Sequence, residues 1–179
     1  MRDTLGTEGE KMGAIELRTA TLQDCEALRH FATELFAEEL PGIFDRPAPT
    51  VAVERAFVTS RLEPDNATIL VAMLGSEVVG LLDFLGGTYD EDRHVGQFGL
   101  SVAREHRDQG IGSALVAALM DWAPAHGIRR VEAHAWSNNP RAVRLYERLG
   151  FVQEAVRREA IVSGGEVLDV LVLVRMVDE

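Results

Sequence analysis

Residues 94–123 read H-V-G-Q-F-G-L-S-V-A-R-E-H-R-D-Q-G-I-G-S-A-L-V-A-A-L-M-D-W-A, and the rest of the chain is arranged around them. Residues 95–102 form an extended, mostly apolar run interrupted by glycines, which predicts a strand. Arg107, Asp108, Gln109, Gly110, Ile111 and Gly112 make a short polar loop. Ile111, Leu115, Ala118, Leu119 and Trp122 then recur at i, i+4, i+7, i+8 and i+11, one face of an amphipathic helix. A glycine-bearing loop that opens straight into a helix leaves backbone N–H groups without partners at the positive end of the helix dipole. Such an end holds an anion, and phosphate in particular. Gly110 and Gly112 lack a Cβ, so a ligand can come close to the backbone.

The spacing R-x-x-G-x-G excludes two familiar phosphate sites. A dinucleotide fingerprint needs G-x-G-x-x-G with an acid about 20 residues on, and a P-loop needs Gly-Lys-Ser/Thr; neither occurs. A second block follows at residues 131–151: V-E-A-H-A-W-S-N-N-P-R-A-V-R-L-Y-E-R-L-G-F. Residues 131–136 alternate as a strand does. Asn139 suits an N-cap and Pro140 the first helical position. Ala142, Leu145, Tyr146 and Leu149 fall on one helical face, and Gly150 suits the residue that ends the helix.

The loop R-D-Q-G-I-G-S-A-L resembles the pyrophosphate loop of the GNAT acyltransferase superfamily. The pattern N-x-x-A-x-x-x-Y-x-x-x-G-F, from Asn139 to Phe151, resembles that superfamily's second cofactor block. Two blocks in order and at the expected separation are far more specific than either alone. The resemblance spans roughly residues 14–177. It implies a mixed α/β fold, the GNAT acyl-CoA N-acyltransferase fold, with a mostly antiparallel, splayed central sheet flanked by helices. It implies acetyl-CoA as cosubstrate and no metal. The cofactor's arm would pair with the central strand at Leu100 and Val102, where Gly96 and Gly99 suit a bulge. Its pyrophosphate would lie on the N–H groups of Arg107, Asp108, Gln109, Gly110, Ile111, Gly112 and Ser113. Asn139 and Ala142 would contact the cofactor, and Tyr146 would donate a proton to the leaving sulfur. Tyr146 is also placed as a core aromatic would be, on the apolar helix face.

Transfer of an acetyl group to an amine also needs a proton acceptor. Glu132, His134 and Trp136 project from one face of the second strand. Histidine titrates near neutrality, and some superfamily members carry glutamate where His134 stands. Glu132 serves equally well, or both line the cofactor cleft or pair with Arg129 or Arg130. Asp83 is a third candidate base or an acceptor-binding residue.

Composition bounds the remainder. At 179 residues the chain has room for a sizeable core, read as a flexible tail over residues 1–13 and a single domain over 14–179. A net charge of −11 argues against a nucleic-acid partner and is compatible with a cationic acceptor. No apolar run reaches the roughly 20 residues of a membrane span, no leader pattern is visible, and the one cysteine, Cys25, permits no internal disulfide. These features suggest a cytoplasmic protein. Residues 15–18 predict a first strand. Thr21 with Asp24 predicts a capped helix burying Leu22, Cys25, Leu28, Ala32, Leu35 and Phe36, ended by Pro41-Gly42. Thr50 caps a second helix carrying Val53, Phe57, Val58 and Leu62. In the superfamily this region walls the acceptor site; here it supplies Glu38, Glu39, Phe44, Asp45 and Glu54. Residues 68–74 and 77–85 form a hairpin around Gly75-Ser76, and 152–162 and 167–177 another around Gly164-Gly165. Val167 to Val174 is denser in apolar residues than alternation requires, which suggests either a homodimer contact or a strand covered by its own helices. The functional expectation is acetyl-CoA-dependent N-acetylation of a small-molecule amine or amino acid. The alternatives are a protein N-terminus or lysine as acceptor, or an acyl-CoA sensor without turnover.

Overall fold

The computed structural model describes residues 15–38, 40, 42 and 46–177. The expected tail, and Glu39, Pro41, Phe44 and Asp45, lie outside the described residues. Seven strands form one sheet in the order β1-β2-β3-β4-β5-β7-β6. They are β1 (Glu16–Thr19), β2 (Ala67–Leu74), β3 (Glu77–Gly86), β4 (Val95–Val102), β5 (Arg130–Trp136), β6 (Val152–Ser163) and β7 (Glu166–Met176). Four helices flank it: α1 (Cys25–Phe36), α2 (Val51–Leu62), α3 (Ile111–Trp122) and α4 (Pro140–Arg148). All neighbouring strands are antiparallel except β4 and β5. The mixed, mostly antiparallel sheet agrees with the order of patterns in the sequence.

The helices divide between the two faces of the sheet. Leu70, Ala72, Leu82, Phe84, Phe98, Val131, Ala133 and Leu173 project to one side and pack with Ile111, Leu115, Val116 and Leu119 of α3 and Tyr146 of α4. Ile69, Val71, Met73 and Val78 project to the other side against Leu28, Phe31 and Leu35 of α1 and Val58 of α2. Alternation along each strand assigns every residue to a face. Leu81, Asp83, Gln97, Gly99, Ser101, Glu132, His134 and Trp136 therefore lie on the α1/α2 side.

Local chemistry sets the element ends. Asp24 accepts from the Thr21 N–H at 2.7 Å and from both arms of Arg18 at 2.8 and 2.7 Å. The Arg18 guanidinium holds the Asp24 carboxyl down at about 2, well under its ordinary value. The α4 helix closes with a paired C-terminal motif: Phe151 N–H reaches Tyr146 C=O at 3.0 Å and Gly150 N–H reaches Glu147 C=O at 3.0 Å, with Gly150 at φ +84°. Both expected two-residue hairpin turns form, and Gly164 and Gly165 take positive φ, 58° and 80°.

Three expectations need correction. In the first helical segment Leu22 is 40% exposed, and Phe31 fills the core instead, because a 3-10 turn over Leu22–Asp24 shifts the helical phase. In α2, Val53 is 59% exposed while Glu54 is buried; the helix meets α1 through Glu54 and Val58. The glycines of β4 make no bulge, since β3 and β4 pair in unbroken register from Gly80↔Val102 to Gly86↔Gly96. They make room instead: a Cβ at Gly96 would sit 2.1 Å from the Phe84 ring, and one at Gly99 would sit 2.7 Å from Asp83 Oδ1. The apolar density of β7 has a local account: β7 lies between β5 and β6, and Leu168, Val170, Val172, Leu173 and Val174 are buried, as expected of a strand covered by its own fold.

Candidate functional site

The parallel pairing of β4 with β5 begins at Val95↔Arg130 and ends at Phe98↔Ala133. Beyond it the two strands part, leaving Gly99 to Val102 of β4 beside an opening. A cleft of about 800 Å³ starts there. It is lined by Leu100, Ser101 and Val102 of β4, by Arg107, Asp108, Gly110, Ile111, Gly112 and Ser113 of the loop and the start of α3, and by Asn139, Ala142 and Tyr146 of α4. Leu35 and Leu40 close one end. The two sequence blocks, some 30 residues apart, thus face each other across one cavity.

At the start of α3 the backbone is shaped for an anion. Gly110 is the N-cap at φ +87°, and Asp108 also takes a left-handed φ of 62°. The first helical bond runs from Ala114 N–H to Gly110 C=O at 3.0 Å, so the N–H groups of Ile111, Gly112 and Ser113 have no intrahelical partner. Nothing lies within 4 Å of a Cβ position at Gly110. Two loop residues differ from expectation. The Arg107 N–H already serves Arg104 C=O at 3.4 Å, and its side chain donates to Val102 C=O at 2.9 Å and to Glu38 at 2.8 Å. Arg107 is thus a strut between α1 and the loop. Gln109 turns away from the cleft and bonds Glu105 C=O at 2.8 Å. Burial opposes the charge on Glu38, yet the Arg107 and Arg104 guanidiniums together keep its carboxyl below the ordinary range.

Asn139 caps α4 by accepting from Ala142 N–H at 3.2 Å. Tyr146 sits one turn further on. Its ring meets Phe98 edge-on at 5.4 Å and lies 5.9 Å from Phe151. The residue is 6% exposed, and burial pushes its phenol up to about 12. It lines the cleft, and its hydroxyl makes no hydrogen bond among the described residues. Among the described residues the one buried side-chain oxygen without a partner is Thr68 Oγ1, so the Tyr146 hydroxyl, although its ring is enclosed, is open to the cleft.

Glu132 and His134 do not line this cleft. They sit on the opposite face of β5, with His134 Nε2 3.3 Å from Glu132 Oε2. Arg130 holds Glu132 at 2.9 Å and bridges on to Glu154 at 2.6 Å. Asp83 lies on the same face of the sheet, paired with Arg61 of α2 at 3.3 Å. Among the expected acceptor-wall acids, Glu38 is bound to the loop arginines and Glu54 is buried against α1 beside Cys25 and Arg29, where burial raises its carboxyl. Neither presents a carboxylate to an acceptor.

Sequence reasoning missed the cationic lining of the cleft. Arg141, Arg144 and Arg148 follow at i, i+3 and i+7 on α4 and all reach it, together with His106. Their spacing was a readable signal. Arg141 also spans to Asp108 at 3.0 Å. Among the described residues no group of three or more His, Cys, Asp or Glu side chains could hold a metal, and no helix is long and apolar enough to cross a membrane.

The sequence model of the Acetyltransferase (GNAT) family matches residues 29–151. The chain is 25% identical over 168 residues to an L-amino acid N-acetyltransferase of Escherichia coli, covering 92% of this chain and 99% of that one. A GNAT-family acetyltransferase of Streptococcus pneumoniae superposes with a TM-score of 0.83 at 22% identity, covering 92% of this chain and 100% of the other. A Salmonella typhimurium protein solved with its cofactor acetyl-CoA gives a TM-score of 0.82 at 24% identity, covering 93% and 96%.

Proposed function

The chain belongs to the GNAT acetyltransferase family, and from that premise we propose that it transfers the acetyl group of acetyl-CoA to the primary amine of a small molecule. The cleft suits this cosubstrate. It is long, it carries orphan helix N–H groups and five basic side chains, and Gly110 leaves its floor open. In this reading the N–H groups of Ile111, Gly112 and Ser113 hold the pyrophosphate. Arg141, Arg144 and Arg148 supply countercharge. The free edge of β4 from Gly99 to Val102 offers backbone groups to an amide-bearing arm, a pairing that β5 gives up by diverging. Acetyl-CoA when bound supplies an activated acetyl thioester.

The remaining chemistry belongs to protons. Tyr146 Oη stands protonated at the end of the cleft and donates to the departing sulfur. On the opposite face His134 and Glu132 act as one unit. With the proton on His134 Nε2 donated to Glu132, the lone pair of Nδ1 is left to take the amine proton, and Arg130 fixes Glu132 in turn. The sequence left these two residues as rivals; their 3.3 Å contact supports a shared role.

The unpartnered Tyr146 hydroxyl on the cleft is the observation that carries this reading. Tyr146→Phe should keep CoA affinity in calorimetry and lower kcat roughly 100-fold or more, because the donor matters only as charge develops on sulfur. A wild-type kcat in that variant would reduce Tyr146 to packing.

A further inference from the structure

The Arg61–Asp83 pair ties α2 to β3. Arg61 Nε lies 3.3 Å from Asp83 Oδ2, and the side chains are 21% and 26% exposed. Arg61 Nη1 also donates to Ser60 Oγ at 3.1 Å, and its Cζ lies 5.2 Å from the Phe57 ring centroid. The guanidinium is therefore held in place, yet Nη2 has no hydrogen-bond partner among the described residues. The second oxygen, Asp83 Oδ1, leans across β4 above Gly99, where a side chain would collide with it. Gly99 is the first β4 residue past the end of the β4–β5 pairing. One cationic and one anionic centre thus stand side by side, the anionic one over the residue at which β4 parts from β5. Burial raises the Asp83 carboxyl despite Arg61, so a further cation beside it would be welcome.

We propose that Arg61 and Asp83 recognise the two charges of an α-amino acid acceptor, its carboxylate at Arg61 Nη2 and its ammonium at Asp83 Oδ1. The inference rests on the acetyltransferase reading and narrows its substrate class. A zwitterion carries its charges on neighbouring atoms, and the protein pair is spaced on the same scale, so the two dipoles dock head to tail. A polyamine fits worse, since Arg61 repels its second ammonium. The bound amine lies over Gly99, on the face that carries His134, and reaches the opening past a strand that has no side chain there. Once His134 has taken its proton, the amine is a neutral nucleophile.

The test compares amino acids with their decarboxylated amines, for example phenylalanine with phenethylamine. It uses wild type, Arg61→Gln and Arg61→Lys, with acetyl-CoA present and thiol release measured. Wild type should prefer the amino acid by roughly 10- to 100-fold in kcat/KM. Both variants should collapse that ratio towards one. Arg61→Lys keeps a cation beside Asp83, and so guards against misfolding, but lacks the planar fork. Equal use of both acceptor types by wild type, or an equal loss on both in the variants, overturns the inference while leaving the acetyltransferase reading intact. Calorimetry on the CoA-bound protein gives the converse: amino-acid binding that exceeds amine binding and depends on Arg61, with no thiol release, supports the dyad and overturns the catalytic reading.

Discussion

Tyr146 shows how far a spacing argument reaches. Its place in the pattern from Asn139 to Phe151 was legible, and so was its apolar helix face. Whether the phenol is packing or chemistry was not, because that depends on Phe98 and Phe151, which enclose the ring, and on what stands opposite the hydroxyl. Burial disfavours the phenolate and raises the group from 10 to about 12. The sign follows. Below pH 10 the phenol is neutral in both folded and unfolded chains, so the full contribution is present. Between 10 and 12 the unfolded chain ionises first and stability falls, by about 3 kcal/mol in all. Ultraviolet titration should therefore contain one tyrosine step near pH 12 that Tyr146→Phe removes, and wild type should lose more stability than the variant across that interval. A titration with no such late step would mean that the ring is open to solvent. Glu38 marks the opposite limit of legibility. It was read as acceptor wall, yet it grips Arg107, a partner 69 positions away that no local pattern indicates.

The glycines of β4 and α3 were all visible, but their reasons were not equally so. Gly110 and Gly112 could be read from their own segment, since a ligand approaching the backbone at a helix start needs residues without a Cβ. Gly96 and Gly99 could not, because what they accommodate belongs to β3, across the ladder. Local reasoning therefore chose a bulge where the sheet has a close contact. The two kinds of glycine should respond differently to one methyl group. At Gly96 the added carbon overlaps the Phe84 ring, which is itself fully buried, so Gly96→Ala should cost about 2–4 kcal/mol in chemical denaturation. At Gly112 the nearest atoms, on Leu100 and Leu145, stand at 3.4 and 3.5 Å, and alanine favours a helix by roughly 0.5–1 kcal/mol over glycine. Gly112→Ala should thus fold as well as wild type, whereas a bulkier Gly112→Val should fold and yet bind CoA weakly. Unchanged CoA affinity in Gly112→Val would remove the phosphate assignment from the start of α3.

The sheet separates two tasks. On the α3/α4 side the cleft gathers Arg107, Arg141, Arg144, Arg148 and His106; on the α1/α2 side stand Asp83, Glu132 and His134; the divergence of β4 from β5 joins them. The order of strands and helices made the sheet predictable, and the resemblance supplied its splay. The division of acids and bases between faces emerges only from register, because the chain's net charge of −11 conceals a local excess of arginine. That excess makes a test on the assembled protein. A polyanion approaching a chain of like sign is repelled at long range and drawn in only within the cleft, so its affinity should depend on ionic strength through those few arginines. Arg107 is committed to Glu38 and Arg141 to Asp108, whereas Arg144 and Arg148 take part in no ion pair among the described residues. The double change Arg144→Ala, Arg148→Ala should therefore weaken CoA binding roughly 10-fold at low salt, with the gap closing towards wild type near 1 M salt, where screening acts over about 3 Å. Circular dichroism should be unaffected, since both residues are exposed and Tyr146 remains to anchor the helix. A loss of affinity that persists undiminished at high salt would indicate that the arginines shape the cleft, with their charge playing little part in holding the phosphates.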